Sequence, residues 1–210
     1  MQGSEPKGVS SGASTEVAPA ASAGSRAPSR GSGARRRTRR WHDSVVHVRE
    51  FGPTDLDACR RLYAQLVEHH RQIYGDPTIG GDDPGAGFDE YMALPERVVT
   101  WVATDGDSIM GLTGLLWEGG ESTIEPVVVD RRNRMSGVGR MLIETAVEES
   151  RRRGATDVNI KPVARNSSAI QVFHQLGFRT VGHVQLFMSL DRDEAYWRAG
   201  PELHGRAFKC

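Results

Sequence analysis

The sequence predicts an α/β (α+β) fold: a mixed, mostly antiparallel sheet with a central parallel pair of strands and helices on both faces. Three observations predict it. Short β-branched or alternating runs at 98–104, 109–117 and 124–129 are separated by Asp105-Gly106-Asp107 and Gly119-Gly120, the pattern of consecutive antiparallel strands. A helical periodicity starting at Val138 is bracketed by strand-like runs at 127–129 and 157–163, which calls for a right-handed parallel crossover. A chain of 210 residues that is 38% hydrophobic and 26% charged can bury one core of its own.

Residues 1–44 read as a disordered tail of Gly, Ser, Ala and Arg, too poor in large apolar side chains to offset its ordering entropy. Its end, Arg35-Arg36-Arg37-Thr38-Arg39-Arg40-Trp41, is a basic run without aromatic interleaving. A nucleic-acid role through residues 26–40 is therefore the least favoured reading, and a solvated arm the simplest. No apolar run approaches the 18 residues of a membrane span, and the two cysteines, Cys59 and Cys210, make no disulfide framework or zinc spacing. A cytoplasmic protein without a resident metal is expected, and a homodimer is left open.

A domain over 45–192 follows, with 193–210 as a C-terminal extension. Residues 45–51 alternate as a first strand. Pro53-Thr54-Asp55 opens a helix carrying Cys59, Leu62, Leu66, His70 and Ile73 on one face, closed near Gly75. Adjacent His69 and His70 point about 100° apart on a helix, so they do not share a metal; one is expected to pack and one to face solvent. The stretch 75–87 is turn-rich and acidic, and 88–94 is a short helical piece. The helix from Val138 closes at Gly154, with Glu148–Arg152 and Glu149–Arg153 pairs outside. A strand at 157–163 leads to Asn166-Ser167-Ser168, which caps a helix holding Ala169, Val172, Phe173 and Leu176. Two last strands are expected at 178–183 and 184–190.

Chemistry concentrates at the junction of the strand 127–129 and the helix at Val138. Gly137 and Gly139 stand where the first helical amides have no partner and the dipole is positive, which favours an anion approaching the backbone. The P-loop pattern fails because no Lys follows these glycines, and the dinucleotide fingerprint fails because its third glycine would be Leu142. What fits is Arg134-Met135-Ser136-Gly137-Val138-Gly139, an R-x-x-G-x-G loop. Downstream, Asn166-x-x-Ala169-Ile170-x-x-Phe173-x-x-Leu176-Gly177-Phe178 forms a second motif. Together, in this order, they resemble the two signatures of the GNAT superfamily of acetyl-CoA-dependent N-acetyltransferases, over roughly residues 45–190.

The resemblance implies a site. The amides from Met135 through Ser136, Gly137, Val138 and Gly139 to Arg140, helped by the Arg134 side chain, would take the CoA pyrophosphate. Backbone groups of Val127 and Val129 would pair with the pantetheine arm as an added strand, because in this family the parallel strands splay apart. Asn166 would bond the pantetheine amide, and an amide near Val127 or Val128 would polarise the thioester carbonyl. Phe173 stands beside the cofactor where many members carry a Tyr whose hydroxyl protonates the leaving thiolate; Tyr63, Tyr74 and Tyr91 are the tyrosines available elsewhere. For the base, Glu121, Thr123, Glu125, Val127 and Val129 share one strand face if no bulge intervenes, which makes Glu125 the first choice and Glu121 the second. The expected activity is acetyl transfer from acetyl-CoA to a primary amine, small-molecule, aminoglycoside-like or peptidyl. A catalytically weak CoA-binding module is the alternative that Phe173 keeps open.

Overall fold

Strand pairing organises the molecule, in the order β1-β2-β3-β4-β5. The computed structural model describes residues 45–186, 188, 190 and 196–210, so the tail at 1–44 and its basic run lie outside the described residues. The strands are β1 (His47–Glu50), β2 (Arg97–Asp105), β3 (Ser108–Glu118), β4 (Glu121–Val129) and β5 (Val158–Ile160). The first four pair antiparallel and β4–β5 is parallel. The helices are α1 (Leu56–Tyr74), α2 (Ala86–Met92), α3 (Val138–Arg152) and α4 (Ser167–Gln175).

Each face of the sheet carries its own core. Under α1 and α2 lie Cys59, Leu62, Phe88, Tyr91, Val102, Leu112 and Val128. Under α3 lie Trp101, Leu115, Ile124, Val138, Leu142 and Ile143, with Phe173, Leu176 and Phe178 packed against them. Burying each of these aliphatic side chains stabilises the fold by about 1.5–3 kcal/mol before entropy is counted. Cys59 is fully buried, as its place on the apolar face predicts, and burial pushes its thiol up to about 12. Two glycines in β3 permit the layers to close. A Cβ at Gly114 would overlap the Tyr91 hydroxyl, and one at Gly111 would meet Val128 O at 2.7 Å and Leu142 at 3.1 Å.

The helix ends follow their sequence signals. Gly75 closes α1 in the left-handed conformation, at φ 66°, and Gly154 follows α3 at φ 83°. On α3, Glu149 takes both Arg152 and Arg153, whereas Glu148 pairs with Arg151 three residues on, not with Arg152.

Two expectations about strands are corrected. The strand expected over 157–163 keeps only three residues, because the chain after Ile160 turns away from β4. The closing pair expected at 178–190 is not formed across 178–186; there Val181, Val184 and Leu186 are exposed, and 187 and 189 lie outside the described residues. Alternation alone does not make a strand without a partner edge, and three-residue β5 offers little of one. The second sheet lies instead in the C-terminal extension, as a hairpin of β6 (Ala199–Leu203) and β7 (Arg206–Lys209). Its two-residue turn has positive φ at both His204 (51°) and Gly205 (71°), the mirror-image turn that suits strand twist.

Candidate active site

A cleft opens where β4 and β5 part. Their pairing runs Ser122↔Val158, Thr123↔Asn159, Ile124↔Ile160 and then stops. Lys161-Pro162-Val163 leave the sheet, while β4 continues to Val129 with β3 on one edge only. The polarity of the free edge follows from the next residue. Asp130 N–H donates to Met110 O at 2.8 Å, on the β3 side. Backbone groups alternate sides along a strand, so those of Val128 also face β3, and those of Val127 and Val129 face the open edge. Of the two amides expected to polarise a thioester, Val127's faces the cleft and Val128's is turned into the ladder.

Within β4 a bulge changes what each side chain faces. Val127 opposes Thr113 and Ile124 opposes Leu115, so Gly114 alone stands across from both Glu125 and Pro126. One extra residue inverts the alternation beyond it. Ile124 accordingly packs under α3 with Val127 and Val129, whereas Val128 packs under α1 and α2. The five residues expected on one face divide: Glu121, Thr123 and Glu125 face the α1–α2 side, Val127 and Val129 the α3 side. Glu125 is exposed and lines the same cleft as Tyr63; burial raises both Tyr63 and Tyr91, and the Glu125 charge adds to it. Glu121 does not reach the cleft. It stands where β4 and β5 are still paired, and Asn159 Nδ2 donates to it at 3.2 Å.

The cleft encloses about 190 Å³ between α1, β4, the segment after β5, and α4. From α1 it is lined by Tyr63, Leu66, Val67 and His70, whose spacing of three and four puts them on one helical face. Ile160, Pro162 and Val163 line it from the segment at and after β5, and Ala169 and Phe173 from α4, with Phe173 edge-on to Phe178 at 6.3 Å. Its polar members are Tyr63, His70, Glu125, Lys161 and Asn166. Of the three tyrosines considered for the missing hydroxyl, only Tyr63 lines the cleft. Tyr91 bonds Thr100 inside the core at 3.0 Å, and Tyr74 stacks on Arg165.

Asn166 caps α4, its Oδ1 accepting from Ala169 N–H at 3.1 Å and from Ser168 Oγ at 2.9 Å. A contact between Asn166 and His69 works to raise that imidazole, against the larger effects that lower it. His69 and His70 are both half-buried, so neither is the solvated histidine expected from their adjacency. Burial lowers both; Arg134 and Arg131 lower His69 further, and His69 lowers His70.

Next to the cleft lies the glycine loop. Met135 at φ 63° and Gly137 at φ 88° turn the chain sharply, and Gly137 tolerates the turn without strain. The first helical bond is Met141 N–H to Gly137 O at 3.1 Å, so the amides of Val138, Gly139 and Arg140 precede the ladder. Arg134, Met135, Ser136 and Arg140 are exposed, and a Cβ at Gly139 would touch Val129 at 3.4 Å. Gln65 and Asp130, which sequence reasoning passed over, hold this loop. Gln65 Nε2 donates to Asp130 Oδ2 at 3.2 Å, and Gln65 Oε1 accepts from Arg131 N–H at 3.0 Å. Arg132 donates to the other Asp130 oxygen from its backbone and side chain, and these bonds bring the buried carboxyl down to about 2. A splayed strand edge leading to a glycine loop at a helix start fits an extended ligand with a phosphate head.

A family model described as the Acetyltransferase (GNAT) family matches residues 59–178, more than half of the chain. The chain belongs to the GNAT acetyltransferase family. It is an acyltransferase, and acetyl-CoA is the acetyl donor of this family. Over 140 residues it is 26% identical to the L-methionine sulfoximine/L-methionine sulfone acetyltransferase of Salmonella typhimurium, covering 62% of this chain and 78% of that one. Over 163 residues it is 25% identical to the streptothricin acetyltransferase of Streptomyces lavendulae, covering 67% and 85%. The fold is also that of the aminoglycoside N-acetyltransferase AAC(6')-Iy in complex with CoA, with a TM-score of 0.54, 19% identity, and 71% and 97% of the two chains covered. The GNAT architecture thus accounts for the parting strands and for the helices on both faces. Among the described residues no helix is long and apolar enough to cross a membrane.

Proposed function

We propose that this GNAT enzyme moves the acetyl group of acetyl-CoA directly to a primary amine held on the α1–α2 side of β4. The observation that carries the reading is the free edge at Val127 and Val129, which ends at the glycine loop while the bulge turns Glu125 toward the opposite side. The pantetheine arm extends the sheet along Val127 and Val129, its amide met by the Asn166 NH₂, and the amides from Met135 to Arg140 with Arg134 take the pyrophosphate. Val127 N–H stabilises the oxyanion formed at the thioester carbon.

An alkylammonium, with a pKa near 10.4, must lose a proton before it attacks. Glu125 is the base proposed for that step. Glu125→Gln should lower kcat by about 10²–10⁴-fold while acetyl-CoA affinity stays constant, with Glu121→Gln as the unaffected control. An unchanged kcat in Glu125→Gln removes Glu125 from the role.

The acidic stretch after α1 offers less to a cationic acceptor than its composition suggests. Asp76 accepts from Thr78 N–H and Oγ1, and Asp83 and Asp89 both pair with Arg60. Acceptor choice then rests on Glu125 and the α1 wall, which favours a compact amine over a polycation. The acceptors named for the relatives, methionine sulfoximine or sulfone and streptothricin, support an amine substrate. Mass spectrometry after incubation with acetyl-CoA and an amine panel tests this. Phe173, with no proton to give, supports the second reading, a CoA-binding module; acetyl-CoA binding without transfer to any amine is the result that would establish it.

A further inference from the structure

Acetylation of an ammonium removes two protons from its nitrogen, and the reading above places only the first. The second leaves after the C–N bond has formed, while the departing sulfur must end as a thiol. Phe173 provides no group for either event. His70 is placed for both. It lines the cleft on the same face of α1 as Tyr63, Leu66 and Val67, and Val127 and Phe173 line the same cleft. Among the described residues its ring makes no hydrogen bond that would hold it out of use.

The groups facing it are Tyr63 and His69 from α1, Glu125 from β4 and Lys161 after β5, while α4 contributes only the uncharged Asn166 and Phe173. Burial, and after it the neighbouring His69, hold its imidazole below the ordinary histidine value, so it meets substrate neutral at pH 7.

Resting on the proposed acetyl transfer, we propose that His70 is a catalytic residue that carries the second proton from the amine nitrogen to the CoA sulfur. The neutral amine donates its lone pair to the thioester carbon, giving a tetrahedral adduct with an oxyanion and a cationic nitrogen. The free nitrogen of His70 takes one N–H proton. The C–S bond breaks as the carbonyl re-forms, and the imidazolium gives its proton to sulfur. His70 ends neutral, the products are the amide and CoA thiol, and no other reactant is needed. The transfer to sulfur runs downhill, since an imidazolium at or below about 6.5 is a stronger acid than a thiol near 8.5. Nitrogen and sulfur sit on one carbon during this step, so one imidazole beside it can serve both.

The test uses the full chain, acetyl-CoA and an amine identified by the panel. His70→Asn and His70→Gln should lower kcat by about 10²-fold or more, while both KM values move by no more than about threefold. The fall in wild-type kcat on acidification below about pH 6.5 should vanish in both variants. Added imidazole should restore part of the rate to His70→Ala, which a packing role would not produce. A kcat close to wild type in both variants, or an acid limb at the same position as in wild type, overturns the proposal. So does a larger kcat loss in Tyr63→Phe, which would give the proton to Tyr63. These outcomes leave the acetyl transfer standing; a wild-type chain that binds acetyl-CoA yet acetylates nothing overturns both readings.

Discussion

Thr113 shows how a single residue bears on stability without touching the chemistry. It is fully buried on β3 opposite Val127, and its Oγ1 has no hydrogen-bond partner among the described residues. An unpaired buried hydroxyl costs more than it returns. Thr113→Val, which keeps the β-branch and removes the hydroxyl, should raise stability by about 1 kcal/mol in a denaturant titration. A loss would mean that the hydroxyl has a partner, such as an ordered water. The residues of the site were legible to different degrees for a physical reason. Gly137, Gly139 and Asn166 act through local backbone geometry, at a helix start and a cap, so their neighbours in sequence reveal them. Gln65 and Asp130 act on each other across 65 positions, and His70 acquires meaning only when α1 is laid over β4.

At the scale of elements, β4 explains both what could be read and what could not. Its length and β-branching are in the sequence, but the bulge opposite Gly114 is a property of the pairing, and it overturned the single-face reading of Glu121 through Val129. Glu125 kept its candidacy because it lies on the α1–α2 side of the bulge; Glu121 lost it because β5 still covers that end of the strand. The β6–β7 hairpin illustrates the reverse case, since its turn at His204-Gly205 lies in a C-terminal extension where no strands are expected from the sequence. Arg165 ties this hairpin to the body. Its guanidinium lies 4.7 Å from the Tyr74 ring, 5.2 Å from Tyr196 and 5.9 Å from Trp197, and it donates to Tyr196 O at 2.8 Å. Because several rings share one cation, Arg165→Ala should loosen the hairpin, costing about 1–2 kcal/mol and exposing residues 196–210 to limited proteolysis. Cleavage at the wild-type rate would show that the hairpin is held by other contacts.

For the whole molecule, the shifted groups predict how stability responds to acid. His69 and His70 are lowered in the folded state, so as pH falls below about 6.5 the unfolded chain takes protons first and the fold loses stability. Asp130, at about 2, and Asp55, lowered by Arg49, contribute stability that is present above their unfolded value near 3.8 and is lost as pH falls below it. The melting temperature should therefore decline in two stages between pH 7 and pH 2.5, and Asp130→Asn should shrink the lower stage. A single decline confined to one of these ranges would assign acid sensitivity to other groups.

The brevity of β5 has a consequence for turnover. A strand that ends after three residues leaves one edge of β4 unpaired along Val127 and Val129, and in the proposed binding mode the arm of the donor displaces solvent from that edge. Each catalytic round then exchanges water's hydrogen bonds for the ligand's and back again, an exchange whose net worth is small, about 1 kcal/mol per bond. In that proposed mode the edge fixes the direction and depth of the arm more than its residence time, and spent CoA would leave without breaking the sheet that received it.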